Sequence, residues 1–137
     1  MIKKVAPQTS GTIKKTEPSD ELLRFSFKYF IHDHEVCPKE FADGYTGKLL
    51  ERLRDLSSWT IKQFTGASTK SVRNHRITWP DTSRPDGFDH LPEQLREGEA
   101  WQFSVSVNEH GRVHGLLIGN VFNIVWLDSQ HALYPQS

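Results

Sequence analysis

The sequence is poor in the residues that mark several protein classes. One cysteine in 137 residues allows neither an internal disulfide nor a Cys-rich zinc site, and gives no hint of a secreted scaffold. Seventeen Lys+Arg balance seventeen Asp+Glu, so there is no global cation excess to coat nucleic acid or an anionic membrane. No apolar run approaches the ~20 residues that span a bilayer, and no signal-peptide core follows Met1. A Gly-rich phosphate loop, a Ser-His-Asp order and a nucleotide fingerprint are also missing. These absences predict a cytoplasmic, single-domain protein with no membrane partner. What is present is aromatic: four Trp, eight Phe and three Tyr, enough for a core that relies on rings more than on Leu and Ile.

The zero net charge is a sum of unequal parts. Lys3, Lys4, Lys14 and Lys15 face only Glu17 in a segment with Pro7, Gly11 and Pro18, which has too little apolar surface to offset the entropy of ordering. Residues 1–20 therefore read as a flexible basic tail ahead of one domain, 21–137. Residues 39–76 carry eight basic groups against four acids, and residues 77–100 two against six. The chain thus has a basic middle and an acidic connector, which is a binding surface or simply two solvated faces.

Periodicity supplies the elements. Phe25 to Tyr29 alternates aromatic and polar residues, as a half-buried strand does. Tyr45, Leu49, Leu50, Leu53 and Leu56 recur at helical spacing. Thr60-Ile61-Lys62-Gln63 fits a capping box opening a short helix that ends near Gly66. Pro80, Pro85 and Pro92 make residues 67–100 an irregular connector, with a strand near residues 76–79 and a helical turn near Pro92 to Leu95.

Trp101 to Val107, Arg112 to Ile118 and Val121 to Asp128 read as an antiparallel meander. A two-residue Gly119-Asn120 loop pairs Ile118 with Val121 and His114 with Val125. A three-residue loop, Glu109-His110-Gly111, with Gly111 left-handed, pairs Val107 with Val113 and Ser106 with His114. That register puts Trp101, Phe103, Val105, Val107, Val113, Leu117, Phe122, Ile124 and Trp126 on the helix-facing side, because a one-residue slip would bury Gln102, Ser104 and Ser106 instead. The other face is half polar (Gln102, Ser104, Ser106, Asn108, Arg112, His114) and half apolar (Leu116, Ile118, Val121, Val125). The predicted fold is α+β, a small antiparallel sheet of about four strands packed on two helices.

This order of strand, two helices and a three-stranded meander, with Arg112-Val113-His114 opening the last hairpin and Asp128 to Pro135 after it, resembles the RelE/ParE-like toxins of bacterial toxin–antitoxin modules. The C-terminal segment is similar, too, to the ends of small bacterial proteins. The resemblance spans Phe25 to Tyr134 as topology and implies a metal-free endoribonuclease that binds RNA, on the ribosome or off it, and is neutralised by an antitoxin protein. Such cleavage needs a base for the 2′-hydroxyl, a cation for the phosphorane and an acid for the leaving oxygen. His114 or His131 suits the first role, Arg112 the second and Tyr134 the third or an orienting one, although each His also fits a structural role and Tyr134 a C-terminal anchor.

Lys62, Lys70, Arg73, His75, Arg76 and Trp79 combine cations with a ring able to stack on single-stranded RNA, or form a basic connector lying on the domain. His32, Asp33, His34, Cys37 and His75 lack a second ligand pair and read as a polar loop, so neither metal nor cofactor is expected. The competing function is a noncatalytic interaction or regulatory module that binds a protein through the half-apolar sheet face.

Overall fold

The computed structural model describes residues 19–32, 35–107 and 109–134. The predicted basic tail lies almost wholly outside them, as do Asp33, His34 and Asn108. In chain order the elements are β1 (Arg24–Ser26), α1 (Tyr45–Leu56), α2 (Ile61–Gly66), β2 (His75–Arg76), a 3-10 turn (Trp79–Asp81), α3 (Glu93–Arg96), β3 (Glu99–Ser104), β4 (Arg112–Ile118) and β5 (Val121–Asp128). The fold is α+β, with one strand and one short helix more than predicted. Five strands run in the order β1-β5-β4-β3-β2, all antiparallel except β1, which lies parallel to β5.

Local chemistry explains the helices. Residues Tyr45, Leu49 and Leu56 of α1 are buried and Leu53 half-buried, but Leu50 points outward at 59% exposure, so the inward stripe is narrower than the apolar pattern suggested. The α2 capping box forms as expected: Thr60 Oγ1 accepts from Gln63 N (3.1 Å), and Gln63 Oε1 accepts from Thr60 N (2.8 Å). Phe64 of α2 then enters a cluster of rings on the sheet, 5.2 Å from Trp101, 6.2 Å from Phe103 and 5.9 Å from Phe122. Phe25 joins it from β1.

The meander differs from expectation in two ways. The β4–β5 hairpin begins as predicted, Ile118 opposite Val121, but an irregularity between His114 and Gly115 leaves Val125 as an extra residue, so His114 faces Trp126 rather than Val125. Trp126 thereby moves to the second face. In the β3–β4 pair, Gln102 faces His114 and Phe103 faces Val113, four residues from the predicted pairing. The strand stops early because competing partners take its backbone: Ser104 N donates to Val72 O, and Arg52 Nε donates to the carbonyls of Ser104 (2.9 Å) and Val105 (3.2 Å). Val107 is consequently 49% exposed rather than core.

The second face is not open. Trp126 is fully buried, with Phe88 4.8 Å and Trp79 6.2 Å away, both nearly edge-on, and the Arg84 guanidinium 5.2 Å over its ring. The C-terminal segment is tied to the same layer, since Ser83 N donates to Leu133 O (2.8 Å), Ser83 Oγ to Ala132 O (2.7 Å), and Thr78 N to Tyr134 Oη (2.9 Å). The connector is thus a third layer, and it covers the face on which a protein partner was expected to lie.

Candidate functional site

The basic segment is held by an unusual density of side-chain to backbone bonds. Asn74 is buried, its amide donating to Phe64 O (2.7 Å) and Ala67 O (3.3 Å) while its oxygen accepts from Thr69 N (3.2 Å). Ser104 Oγ donates to Ser71 O, and Arg52 Nη2 donates to the same carbonyl. Within this frame Arg73 adopts a left-handed φ of 53°, with its N–H on Thr69 O at 2.7 Å. A non-glycine residue there costs about 1 kcal/mol or more, which the fixed loop offsets. The outcome is that Lys70 and Arg73 line an open cleft of about 560 Å³ with Ser68, Thr69 and Val107.

On the adjoining strands lies a buried imidazole–carboxylate pair. His114 Nε2 is 3.0 Å from Asp128 Oδ2, both side chains almost wholly buried. Asp128 also accepts from Ala132 N (2.7 Å, Oδ1) and Leu133 N (2.9 Å, Oδ2). A carboxylate only accepts, so Nε2 carries the proton, and Nδ1 is left without a partner among the described residues. Burial pushes the His114 pKa below its ordinary value, partly opposed by Asp128, so the ring is neutral. Burial alone would raise the Asp128 pKa, but the hydrogen bonds it accepts from His114 and from the two backbone amides carry it below the usual carboxylate value.

Asp128 was missed by sequence reasoning, because a lone Asp ending an apolar strand carries no pattern. Its two backbone acceptances fold the chain around His131, which takes a left-handed φ of 57°. Gly111, at φ 69°, permits the matching approach from the other side, since a Cβ there would lie 2.0 Å from Asp128 O.

Arg112 and His131 emerge beside this pair. The half-buried Arg112 donates to Gly111 O (3.3 Å). Burial weakens its hold on its proton, the Arg73 charge adds to this and Asp128 opposes it, yet a guanidinium remains charged. Neither Arg73 nor Arg112 forms an ion pair among the described residues. The half-buried His131 is shifted downward by burial first and then by Arg112, with Asp128 pulling the other way and His114 and Arg73 adding to the fall. Arg73, Arg112 and His131 therefore act on one another electrostatically, two guanidinium groups and a neutral imidazole. Such a group can hold a phosphate and accept a proton.

The other predicted residues are placed differently. His114 is fully buried and cannot touch a phosphodiester. Tyr134 Oη is engaged by Thr78 N, and its ring stands 6.2 Å from His75, so it ties the C-terminus to the connector. His75 is exposed on β2, its Nδ1 donating to Arg76 O (2.8 Å) and its Nε2 accepting from Gln102 Nε2 (3.1 Å). Trp79 is packed between Phe88 and Trp126 rather than presented as a stacking platform. Lys62 and Arg76 are exposed, and Lys62 N is bonded to Ser19 O. His32 Nε2 donates to Pro38 O, and Cys37 is buried, its sulfur accepting from Leu127 N (3.0 Å). Among the described residues no group of three or more His, Cys, Asp or Glu is arranged to hold a metal, and no helix is long and apolar enough to cross a membrane.

No family model, curated protein or solved structure matches this chain.

Proposed function

We propose that the chain binds single-stranded RNA at Lys70, Arg73 and Arg112 and cleaves it without a metal, as a RelE/ParE-like toxin would. The observation that carries this reading is the grouping of two guanidinium groups, neither in an ion pair among the described residues, with a half-exposed, neutral His131. Arg73 and Arg112 hold the scissile phosphate. His131 takes the 2′-hydroxyl proton, the 2′-oxygen attacks phosphorus, Arg112 offsets the added negative charge, and the P–O5′ bond breaks to leave a 2′,3′-cyclic phosphate. The 5′-oxygen is protonated by solvent. His114 and Asp128 do not touch substrate; they are positioning residues that set the turn carrying His131. An antitoxin would act by covering this cationic end with an acidic segment, because the apolar sheet face is already covered.

The test is cleavage of a labelled single-stranded RNA by purified protein, with and without ribosomes. Arg112→Ala should lower kcat/KM about 10²-fold or more, and His131→Gln by a similar factor. Arg73→Ala should act mainly through KM. Cleavage unchanged in both Arg112→Ala and His131→Gln would sink the catalytic assignment. RNA binding without cleavage, lost in Arg73→Ala, would reduce the function to RNA binding.

A further inference from the structure

The cleft that holds Lys70 and Arg73 is larger than a phosphate needs. Its volume of about 560 Å³ lies within the size range of small-ligand sites, and a phosphate group fills only a small part of it. Beside the two cations stands Val107, 49% exposed and the one apolar side chain among the lining residues. The backbone leading to it is tied down. Strand β3 ends at Ser104, Arg52 Nε donates to the carbonyls of Ser104 and Val105, and Ser106 Oγ donates to Glu109 O (2.6 Å). Val107 therefore follows a fixed run of chain that keeps it out of the core.

The loop carrying the cations is equally fixed, and Thr69 is engaged in fixing it. Its N–H donates to Asn74 Oδ1 (3.2 Å), its Oγ1 accepts from Val72 N (3.1 Å), and its carbonyl accepts from Arg73 N (2.7 Å). What the cleft offers a ligand is chiefly two cations, the Ser68 hydroxyl and one apolar surface. An inorganic phosphate or an acidic side chain would meet the cations and leave Val107 bare. An apolar group alone would leave the cations without a counter-charge. A nucleotide carries both features, a charged phosphate and a ring with an apolar face.

We infer that the cleft is the subsite for one unpaired nucleotide next to the scissile phosphate, with Lys70 and Arg73 on its phosphates and the face of its base laid on Val107. The inference rests on the RNA reading above and names the residue that receives the base. A ring face is common to all four bases, and a hydroxyl that can both donate and accept does not tell one base edge from another, so the subsite is tolerant of sequence. A base must leave its helix to present that face to a side chain, so duplex RNA is not a ligand.

The test titrates the full chain, followed by backbone amide NMR, with adenosine 5′-monophosphate, uridine 5′-monophosphate, ribose 5-phosphate and inorganic phosphate. Saturable shifts at residues 68–73 and 107 are expected with both nucleotides, at affinities within about 3-fold of each other. Ribose 5-phosphate, which lacks the base, should bind about 5-fold or more weaker, the effect of burying one ring face on a valine. Val107→Ser, at an exposed position, should bring the nucleotides down to the affinity of ribose 5-phosphate without changing that of ribose 5-phosphate or the circular dichroism. Lys70→Ala should weaken all four probes alike. Ribose 5-phosphate binding as tightly as the nucleotides, or Val107→Ser leaving nucleotide affinity unchanged, would overturn the base subsite while the cationic site for RNA stands. No saturation at residues 68–73 with any phosphate probe would overturn the subsite and the RNA reading together.

Discussion

At the scale of single residues, Asp128 does the most with one side chain. It fixes the His114 tautomer, accepts the amides of Ala132 and Leu133, and so determines the turn that holds His131. An amide in its place would keep the volume but set an NH2 group against one of three donors. Hydrogen bonds to a charged buried group are worth about 1.5–3 kcal/mol each, and an unsatisfied donor costs a comparable amount. Asp128→Asn is therefore expected to lose about 2–4 kcal/mol in urea unfolding and to loosen residues 129–134 in hydrogen exchange. A variant as stable as the parent, with the same protection, would show that these bonds are replaceable.

At the scale of elements, the irregularity in the β4–β5 ladder decides which side of the sheet Trp126 joins. Gly115 makes it possible: a Cβ at this position would lie 2.2 Å from Asn123 O and 2.5 Å from the Phe122 ring. Gly115→Ala must move a β5 carbonyl or the ring cluster, and a loss of more than about 2 kcal/mol is expected, in the range of overpacked cores. Near-UV circular dichroism should report the displaced aromatics. A change below 0.5 kcal/mol with an unaltered spectrum would show that β5 shifts freely. The same element shows what the sequence could reveal. Both β4 and β5 can be read to their observed ends, as can α1 and the capping box of α2, because local chemistry marks them. The extra residue cannot, since β5 is apolar on both faces apart from Asn123 and the terminal Asp128, and its alternation carries no register. The four-residue slip of β3 is equally hidden, because an even slip keeps every side chain on its face. It is set by Arg52 and Val72, distant in sequence. Arg73, Arg112 and His131 were legible as residue types with useful chemistry, whereas the burial of His114 and Trp79 depended on a connector whose path no periodicity marks.

At the scale of the molecule, the sheet is clamped between a ring-rich helical layer and the connector, and a neutral histidine is sealed between them. This couples the whole fold to pH. In the unfolded chain His114 titrates near 6.5. In the folded chain its pKa is lowered, chiefly by burial, so below 6.5 the unfolded state binds a proton that the folded state refuses. Stability is thus fully present above that pH and falls as the solution is acidified, until the lowered folded pKa is reached. His131, also shifted downward, adds in the same direction to a smaller degree because it is partly exposed. Asp128 has a lowered folded pKa as well, but its contribution is lost only below the ordinary carboxylate range, so it does not act in this window. One proton of difference amounts to about 1.4 kcal/mol per pH unit. Urea unfolding at pH 7.5 and 5.5 should show a loss of at least about 1 kcal/mol at constant m-value, with the intact His114–Asp128 pair seen as a slowly exchanging Nε2 proton at the higher pH. Stability that stays level or rises on acidification would mean that His114 takes up its proton inside the fold, and that the connector does not seal the sheet.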